Sequence, residues 1–548
     1  MPRDWLRGQG LAVVLSLALP AAAMAAGDAL HKEGRGKLSY ELDRIARASE
    51  RGEQVKSAGR AYNRATGEVT VVIELARGAS LDSVRAAVQA AGGRVEAVAG
   101  SLVKATLAPS ALRGLAALPE VRLMRAPYRP QAKRVGAAAG APTGVVSQGV
   151  AVMNADGYRA RTGADGTGVT VGVLDGSFKG AKDLLGTELP QDTSATDFVL
   201  SHLDSFQDVH GTACAEIVHD VAPGAHITLA AFEDEVTWSN AIDDLMDKAG
   251  ARIISHSIGF DNLFPPDGTN FFSQKIDAAA ARGVLFVTAA GNEGGNYFQG
   301  RWTDANGNGF LDFGPSIELL PIQVFPPFTT VALRWDDAFG HSTHDYDLLV
   351  VRPEFVNNPT VSEQNPFVVA LSADIQNGTQ DPVEAVRVEV DQPGTLFVVV
   401  MHDSASPENR SQRFFVYAHD GIAEPSLVTS SASLSSPADA RGALTVGAVA
   451  FDSRQVEGYS SRGPTADGRV KPDVMGPDRV ATVSFGAEFP GTSAATPHVA
   501  GAAALILSRN PGLSASALRL ALERATTSGG ARKDNDNGFG LIDLSRAP

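Results

Sequence analysis

The chain has 548 residues, of which 44% are hydrophobic and 20% are charged, a balance typical of a globular protein and not of a disordered one. At roughly 150 residues per domain, this length predicts three or four folding units. The formal net charge is −15, and no long basic run offsets it. Because so acidic a chain repels phosphate groups, we expect neither nucleic acid nor an anionic membrane surface as a partner.

The N-terminus has the pattern of a signal peptide. Arg3 and Arg7 give it a positive start, residues 11–19 form a short apolar stretch, and Ala-Met-Ala at 23–25 offers small residues for cleavage. A membrane anchor is the alternative, but the apolar stretch is too short to span a bilayer comfortably. We therefore expect residues 1–26 to be removed on export, which predicts a secreted or periplasmic protein without a membrane span.

The chain has one cysteine, Cys214, so it can form no internal disulfide. A reactive thiol is one interpretation of this residue. The more ordinary one is a small buried apolar side chain, and we expect that role here. Stability must then come from the size of the core.

Residues 68–128 alternate short strands and helices. The predicted elements are a strand at 69–75, a helix at 81–91, strands at 93–98 and 102–107, a helix at 109–118 and a strand at 121–125. This β-α-β-β-α-β order predicts a small ferredoxin-like α+β unit. The Ala/Gly/Pro-rich residues from 127 to about 149 predict an exposed linker after it.

Beyond the linker, apolar strands alternate with helices. The strands are predicted at 169–174, 227–232, 253–257, 284–289 and 444–450. This pattern predicts an α/β fold with a doubly wound parallel sheet covered on both faces. Residues 317–426 interrupt the series with short strands and turns, which predict an inserted all-β sandwich. The sheet-forming domain is therefore expected in two parts, 149–316 and 427–548.

Ser493 is the first candidate for chemistry. It lies in Gly-Thr-Ser-Ala-Ala-Thr-Pro-His at 491–498, ahead of the small apolar run 499–507. Pro497 fits the first turn of a helix, so Ser493 is expected at a helix N-terminus, where unpaired N–H groups favour developing negative charge. Taken alone, such a serine is more often an ordinary helix cap.

Three other polar residues occupy comparable positions. His210 precedes a helix of small residues, Asp175 ends an apolar strand, and Asn292 follows a glycine at another strand end. Each has an ordinary alternative: a structural histidine, a loop-capping carboxylate and a turn-forming asparagine. The carboxylate must in any case be paired or hydrogen bonded to be tolerated there.

The four residues together predict acyl transfer. In doubly wound sheets the strand ends line one crevice, where ligands bind. Acyl transfer needs a nucleophile, a base, an acid that orients the base, and a donor for the oxyanion. Ser493, His210, Asp175 and Asn292 supply one candidate for each role.

These motifs resemble those of the subtilisin-like serine peptidases, the subtilases, from about residue 149 to 544. The chain order Asp, His, Ser is that of subtilisin. The matching segments are His-Gly-Thr at 210–212, Ala-Ala-Gly-Asn at 289–292, Gly-Thr-Ser-Ala-Ala-Thr-Pro-His at 491–498 and, as scaffold, Tyr-Ser-Ser-Arg-Gly-Pro at 459–464, Lys-Pro-Asp-Val at 471–474 and Gly-Phe-Gly-Leu-Ile-Asp at 538–543.

The resemblance implies a serine endopeptidase of subtilisin type. Ser493 would attack the peptide carbonyl, His210 would take its proton, Asp175 would hold the imidazole, and Asn292 would stabilise the oxyanion. The implied substrates are polypeptides, and the chemistry requires no cofactor.

The resemblance also implies a substrate-binding edge and a propeptide. Ser257, Ile258 and Gly259 would pair with the substrate backbone, with Ala289 and Gly291 also contacting substrate. Residues 27–148, which include the ferredoxin-like unit, would be a propeptide that inhibits the enzyme within the same chain. We expect its autocatalytic removal between residues 125 and 150.

The sequence departs from the family pattern in two places. Gly176-Ser177 follows the aspartate where the family usually has Ser/Thr-Gly, which puts the turn geometry in question. His256 stands where the family usually has an apolar or amide residue, which leaves the substrate preference open.

A loop at 304–312 resembles a calcium site. It offers oxygen ligands at loop positions 1, 3, 5 and 9, with glycine at position 6, but Pro315 replaces the closing glutamate. The candidate ligands for a structural calcium ion are Asp304, Asn306, Asn308 and Asp312. A plain Asn/Gly turn is the alternative.

Two other functions remain open from the sequence. One is a catalytically silent binding protein of subtilase fold, which would have no need of all four residues. The other is an esterase, but Gly-Thr-Ser-Ala-Ala around Ser493 is not the Gly-x-Ser-x-Gly elbow of many esterases.

Overall fold

The computed structural model of the chain describes residues 19, 36–53, 61–131, 144–197, 208–260 and 263–548. Apart from Leu19, the predicted signal peptide lies outside the described residues, as do residues 132–143 of the predicted linker. The chain divides into two compact units. One contains residues 1–127 and 296–428, and the other contains residues 128–295 and 429–548.

The first unit begins with an α+β fold. Its elements are α1 (Tyr40–Glu50), β1 (Val69–Leu75), α2 (Leu81–Ala90), β2 (Arg94–Ala99), β3 (Leu102–Leu107), α3 (Leu112–Ala116) and β4 (Val121–Arg125). The strands form an antiparallel sheet in the order β2-β3-β1-β4. The Ser80 side chain caps α2 by accepting from the Ser83 amide. The predicted β-α-β-β-α-β order is confirmed.

The second unit starts with alternating strands and helices. Its first elements are β5 (Pro130–Gln131), α4 (Gln148–Val152), α5 (Ala155–Thr162), β6 (Thr170–Asp175), β7 (Ser194–Asp197), α6 (His210–Val221), β8 (His226–Ala231), α7 (Glu235–Asp247), β9 (Ile253–His256), β10 (Gly259–Phe260), α8 (Phe271–Ala281) and β11 (Leu285–Ala289). The side chains of β9 and β11 are buried throughout, as expected of strands inside a sheet covered on both faces.

A β-sandwich occupies residues 296–428 of the first unit. Its strands are β12 (Tyr297–Arg301), β13 (Leu320–Val324), β14 (Phe328–Trp335), β15 (Tyr346–Val351), β16 (Val368–Ser372), β17 (Val383–Glu389), β18 (Gly394–His402) and β19 (Arg413–Ala418). They form two antiparallel four-stranded sheets, β12-β19-β14-β17 and β13-β18-β15-β16. The first strand, β12, lies upstream of the predicted start at 317. Its sequence Tyr-Phe-Gln-Gly-Arg has neither an apolar run nor a full alternation, so the pattern gave no signal there.

The rest of the second unit completes its sheet. Its elements are β20 (Ala443–Ala450), β21 (Val474–Asp478), β22 (Val480–Thr482), β23 (Gly486–Phe489), α9 (Thr492–Arg509) and α10 (Ala515–Arg524). Seven parallel strands lie in the order β21-β20-β11-β9-β6-β8-β7. The fold is the predicted α/β class with its β insertion.

Small residues let α9 pack closely against α6. A Cβ atom added at Gly501 would lie 2.6 Å from the Cβ atom of Val221, closer than two carbons can approach. Helix α9 is buried from Thr492 to Leu507. Within the described ranges, none of the helices combines the length and the apolar character that a bilayer crossing needs.

Candidate active site

The four candidate residues lie at the carboxyl ends of the parallel strands. Asp175 is the last residue of β6, and Asn292 follows the end of β11 by three positions. His210 is the first residue of α6, and Ser493 is the second residue of α9. The predicted positions at strand ends and helix starts are therefore correct, and they coincide with the edge where doubly wound sheets bind ligands.

Asp175 and His210 form a buried hydrogen-bonded pair. The Nδ1 atom of His210 lies 2.8 Å from Oδ2 of Asp175, and both residues are less than 5% exposed. The amide of Gly176 donates to the other carboxylate oxygen at 2.8 Å. Because the ionised carboxylate only accepts, the proton of neutral His210 is held on Nδ1, and Nε2 is left as the basic nitrogen.

The pKa of His210 is raised above its usual value. Burial acts to lower it, because the imidazolium loses its water. The charge and hydrogen bond of Asp175, with a further charge from Asp208, outweigh burial. The pair therefore stabilises the protonated ring, which is what a general base must become during proton transfer.

The reordered Gly176-Ser177 turn holds its geometry through hydrogen bonds. The Ser177 hydroxyl donates to the Asp208 carbonyl at 2.6 Å, and the Gly211 amide donates to the Ser177 carbonyl at 3.1 Å. A Cβ atom added at Gly211 would lie 2.5 Å from that carbonyl oxygen. The glycine after His210 is thus what allows α6 to begin against the Asp175 turn.

Ser493 is buried and is hydrogen bonded to Ser257, just beyond the end of the neighbouring strand β9. Its hydroxyl donates to the Ser257 carbonyl at 3.0 Å, and the Ser257 hydroxyl donates to the Ser493 carbonyl at 2.9 Å. Among the described residues, His210 Nε2 has no hydrogen-bond partner, so the structure does not join it to the Ser493 hydroxyl. Catalytic hydrogen bonds are often open in enzymes without substrate.

Asn292 is oriented by a residue that the sequence analysis missed. Its Oδ1 atom accepts from the Thr492 amide at 2.9 Å and from the Thr492 hydroxyl at 3.0 Å. Because these two hydrogen bonds hold Oδ1 of Asn292 towards Thr492, the amide nitrogen Nδ2 is directed away from Thr492. Gly491 has a φ of 109°, and a Cβ atom there would lie 2.9 Å from Asn292 Nδ2. The position of Thr492 inside the Gly-Thr-Ser motif is the sequence signal from which its role at this site could have been predicted.

The expected substrate-binding residues surround this crevice. Ser257 directly follows β9, and Gly259 opens the short strand β10, with the buried Ile258 between them. Strand β10 pairs in antiparallel fashion with β5, with Gly259 opposite residue 131 and Phe260 opposite Pro130. The edge therefore carries an extended segment of this same chain.

Ala289 and Gly291 lie on the Asn292 side of the crevice. Ala289 ends β11 and is 7% exposed. Gly291 has a φ of 106°, and a Cβ atom there would lie 1.9 Å from a Glu293 carboxylate oxygen. Only glycine fits this turn, so the residue serves the backbone geometry next to Asn292.

His256 belongs to the core and not to the crevice. It is fully buried, its Nε2 accepts from the Trp238 indole at 3.0 Å, and its Nδ1 lies 3.1 Å from the Thr288 hydroxyl. Burial, with a smaller effect from His210, lowers the pKa of His256 to about 3. His256 is therefore a neutral core residue, and its buried side chain has no exposed surface that substrate could contact.

Cys214 lies beneath the pair of Asp175 and His210. One donor atom from each of these residues lies within 4.8 Å of the other two, a spacing compatible with a metal ion. Burial and the Asp175 charge raise the pKa of the Cys214 thiol well above its usual value, which disfavours the thiolate that a metal would need. The thiol is fully buried, as predicted, and it donates a weak hydrogen bond to the Ser493 carbonyl at 3.6 Å.

A second residue missed from the sequence packs on the histidine. The ring of Phe489 meets the His210 ring edge to face, with centroids 5.4 Å apart. Phe489 ends β23, just before the turn into α9. No motif marked it, because the contact depends on the tertiary fold.

The predicted calcium loop is closed by hydrogen bonds. The Asp304 carboxylate accepts from three amides of its own loop, and Asp312 accepts from the Ala305 amide. Asn306 and Asn308 donate to Glu318, which lies three positions beyond the residue expected to close the loop. Calcium binding at these residues remains a prediction.

Comparison with known proteins places these motifs in one family. The sequence profile described as the subtilase family matches residues 166–311 and 365–541, more than half of the chain. The chain is 26% identical over 412 residues to the subtilisin-like protease SBT1.9 of Arabidopsis thaliana, which covers 63% of this chain and 52% of that protein. It is 32% identical over 141 residues to the serine protease AprX of Bacillus subtilis, covering 21% of this chain and 32% of that protein.

A solved structure shares the fold. The CspB protease of Clostridium perfringens superposes with a TM-score of 0.50 at 16% identity, covering 72% of this chain and 97% of that one. Against the two curated relatives, the matched regions span about half of the first protein and a third of the second.

Proposed function

Because the chain belongs to the subtilase family, we propose that it is a serine endopeptidase with an Asp175/His210/Ser493 triad and Asn292 as oxyanion donor. The observation that carries this proposal is the buried pair of Asp175 and His210 at 2.8 Å, located at the strand ends where α9 presents Ser493. The proposed substrates are polypeptides.

The proposed reaction begins with attack by the Ser493 oxygen on the peptide carbonyl carbon. The serine proton passes to Nε2 of His210, and the carbonyl oxygen becomes an oxyanion that accepts from Asn292 and from the Ser493 amide. Collapse breaks the C–N bond, and His210 gives the proton to the leaving amine. Water then repeats the sequence on the acyl-enzyme and releases the acid, while Asp175 stabilises each transient imidazolium.

Asn292→Ala is expected to lower kcat by about 10²- to 10³-fold with little change in KM, because the amide donor acts on charge that develops only in the transition state. Steady-state kinetics on a peptide amide measures both parameters. Thr492→Ser keeps the hydroxyl that orients Asn292 and is the matched control, which should stay close to wild type. A higher KM at unchanged kcat in Asn292→Ala would show that the residue binds substrate instead.

We further propose that residues 27–148 are a propeptide, and that its segment β5 lies along the edge of the active site that would bind substrate. The support is the extended segment β5, which pairs with the edge expected to bind substrate backbone. Just before it, the Tyr128 amide donates to Glu235 at 2.8 Å and the Tyr128 ring packs on Phe264 at 5.4 Å. A segment held along this edge is set up as an inhibitor and as the first substrate.

The mature enzyme is expected to begin between residues 125 and 150, part of which lies outside the described residues. N-terminal sequencing of active protein recovered from the medium or periplasm measures this directly, and it also tests the proposed export by the 1–26 signal peptide. Active enzyme that begins near Gly27 would refute the propeptide.

Two other functions make different predictions. A catalytically silent binding protein would not react with a fluorophosphonate, whereas the proposed enzyme is labelled. An esterase would turn over activated esters and leave peptide amides intact, so comparing the two substrates separates it from a peptidase. The family membership favours the peptidase over the esterase, and the buried pair of Asp175 and His210 favours an enzyme over a silent binding protein.

A further inference from the structure

The turn that carries Ser493 is held from two sides. On one side, Thr492 bonds to Asn292 as described above. On the other side, the amide of Gly491 donates to Oδ2 of Asp478 at 3.0 Å and contacts the Tyr459 hydroxyl oxygen at 3.2 Å. The nucleophile is the next residue but one after Gly491.

Asp478, which is buried, and Tyr459, which is partly buried, form a hydrogen-bonded network with that amide. Asp478 ends β21 and is 0% exposed. The Tyr459 hydroxyl donates to the same Oδ2 that receives the Gly491 amide. Among the described residues, nothing hydrogen bonds to the second oxygen, Oδ1. A single carboxylate oxygen of Asp478 therefore accepts both hydrogen bonds.

The turn depends on such anchors because of its backbone conformation. Gly491 has a φ of 109°, a region in which glycine is flexible and other residues are strained. Glycine gains no rigidity from its own side chain, so outside contacts must fix the direction in which α9 begins. A charge-assisted hydrogen bond to the Gly491 amide is the strongest such contact on this side of the turn.

We propose that Asp478, supported by Tyr459, is a positioning residue that fixes the Gly491 turn and so the attack geometry of Ser493. The inference rests on the proposed function, because it concerns the reactivity of that nucleophile. The ionised carboxylate accepts from both donors. A neutral acid would carry its proton either on Oδ2, where it competes with the two donors, or on Oδ1, where the described residues offer no acceptor.

The surroundings of Asp478 keep its ionisation within reach of neutral pH. Burial raises the pKa of Asp478 to about 7 and the nearby charge of Glu457 adds to this effect, while the Tyr459 hydroxyl, the Gly491 amide and the Arg479 charge oppose it. The Arg479 guanidinium forms ion pairs with Glu488 at 2.7 Å and with Glu457 at 3.8 Å. The charge of Asp452 also acts on Glu457. The anchor is therefore complete above about pH 7 and weakens as the pH falls through that value.

The test measures the rate at which a fluorophosphonate labels Ser493 as a function of pH. In wild type, His210 must lose a proton, and loss of a proton from Asp478 should raise the rate about tenfold further, so the acid limb should exceed the slope of a single proton over about one decade of rate. Asp478→Asn should leave a one-proton limb and label about tenfold more slowly at alkaline pH, through loss of a charge-assisted bond. On peptide substrates the same variant should lower kcat and leave KM unchanged.

Tyr459→Phe is a milder change than Asp478→Asn, and it should shift the second step of the acid limb where Asp478→Asn removes it. It removes a donor that lowers the pKa of Asp478, so the second step of the acid limb should move to higher pH and remain visible. Asp439→Asn is the matched control. Asp439 is likewise fully buried, but it bonds to Gly268, Asn270 and Ser273, away from this turn, so its labelling profile should match wild type.

The outcomes separate the two proposals. If wild type is not labelled at all, the proposed function fails. If wild type is labelled and both variants keep its pH profile and kcat, the positioning role of Asp478 is overturned while the proposed function stands. If Asp478→Asn does not fold, the direction of the shift in Tyr459→Phe decides alone.

Discussion

Ser493→Ala is expected to lower casein hydrolysis by about 10⁶-fold, the loss in kcat that follows removal of the nucleophile in subtilisin. The change deletes one oxygen atom and leaves α9 intact, because the helix is held by the packing of its small residues and not by this hydroxyl. The same variant should accumulate as uncut precursor, since removal of the proposed propeptide needs the same chemistry. Initial rates and the length of the purified chain measure the two effects.

Ser255→Ala is the matched control for that loss. Ser255 is a buried serine of β9 whose hydroxyl has no hydrogen-bond partner among the described residues. It should retain activity and processing. Casein hydrolysis at wild-type rate in Ser493→Ala would overturn the assignment of the nucleophile, whereas equal losses in both variants would mean that the fold and not the chemistry was damaged.

Asp175→Asn is expected to lower kcat by about 10⁴-fold, as the corresponding change does in another serine peptidase. An asparagine amide can donate to Nδ1 of His210, which would move the ring proton to Nε2 and remove the base from the serine side. Gly176 can still donate to the remaining oxygen, so the geometry of the turn should persist.

The same variant should change the pH dependence in a defined direction. His210 acts as a base only when neutral, so activity rises as the pH rises through its pKa. The Asp175 carboxylate raises that pKa against the opposing effect of burial. Without the carboxylate, burial dominates, and the acid limb of residual kcat/KM should move to lower pH. Asp208→Asn removes only the charge with the smaller effect on the pKa of His210 and should move the limb less. An unmoved limb in Asp175→Asn would contradict the assignment of His210 as the base.

Most of the fold and the candidate site residues could be predicted from the sequence, because the patterns that indicate them are local. Apolar runs without alternation marked the strands of the parallel sheet, and a polar residue that ended such a run marked Asp175 and the Asn292 turn. The strand-end rule then brought residues from distant parts of the chain to one crevice. That rule works because parallel strands share a direction, whatever the sequence distance between them.

Contacts made by tertiary packing were not readable in this way. Phe489 reaches the His210 ring, and Tyr459 reaches Asp478 and Gly491, without any periodic pattern to announce the contact. The sequence could not show that the Ser493 hydroxyl donates to the Ser257 carbonyl, because a side-chain rotamer is chosen by its surroundings. The same limit applies to His256. Its position in the sequence, next to the expected substrate-binding residues, suggests a place in the crevice, whereas its hydrogen bonds hold it in the core.

The most direct test of the account is to identify the residue that a fluorophosphonate modifies. Wild-type enzyme is labelled, digested and mapped by mass spectrometry, with Ser493→Ala treated in parallel. The account predicts one phosphonylated peptide, modified at Ser493 and absent from the variant. An unlabelled wild type, or a label on any other residue, would contradict it.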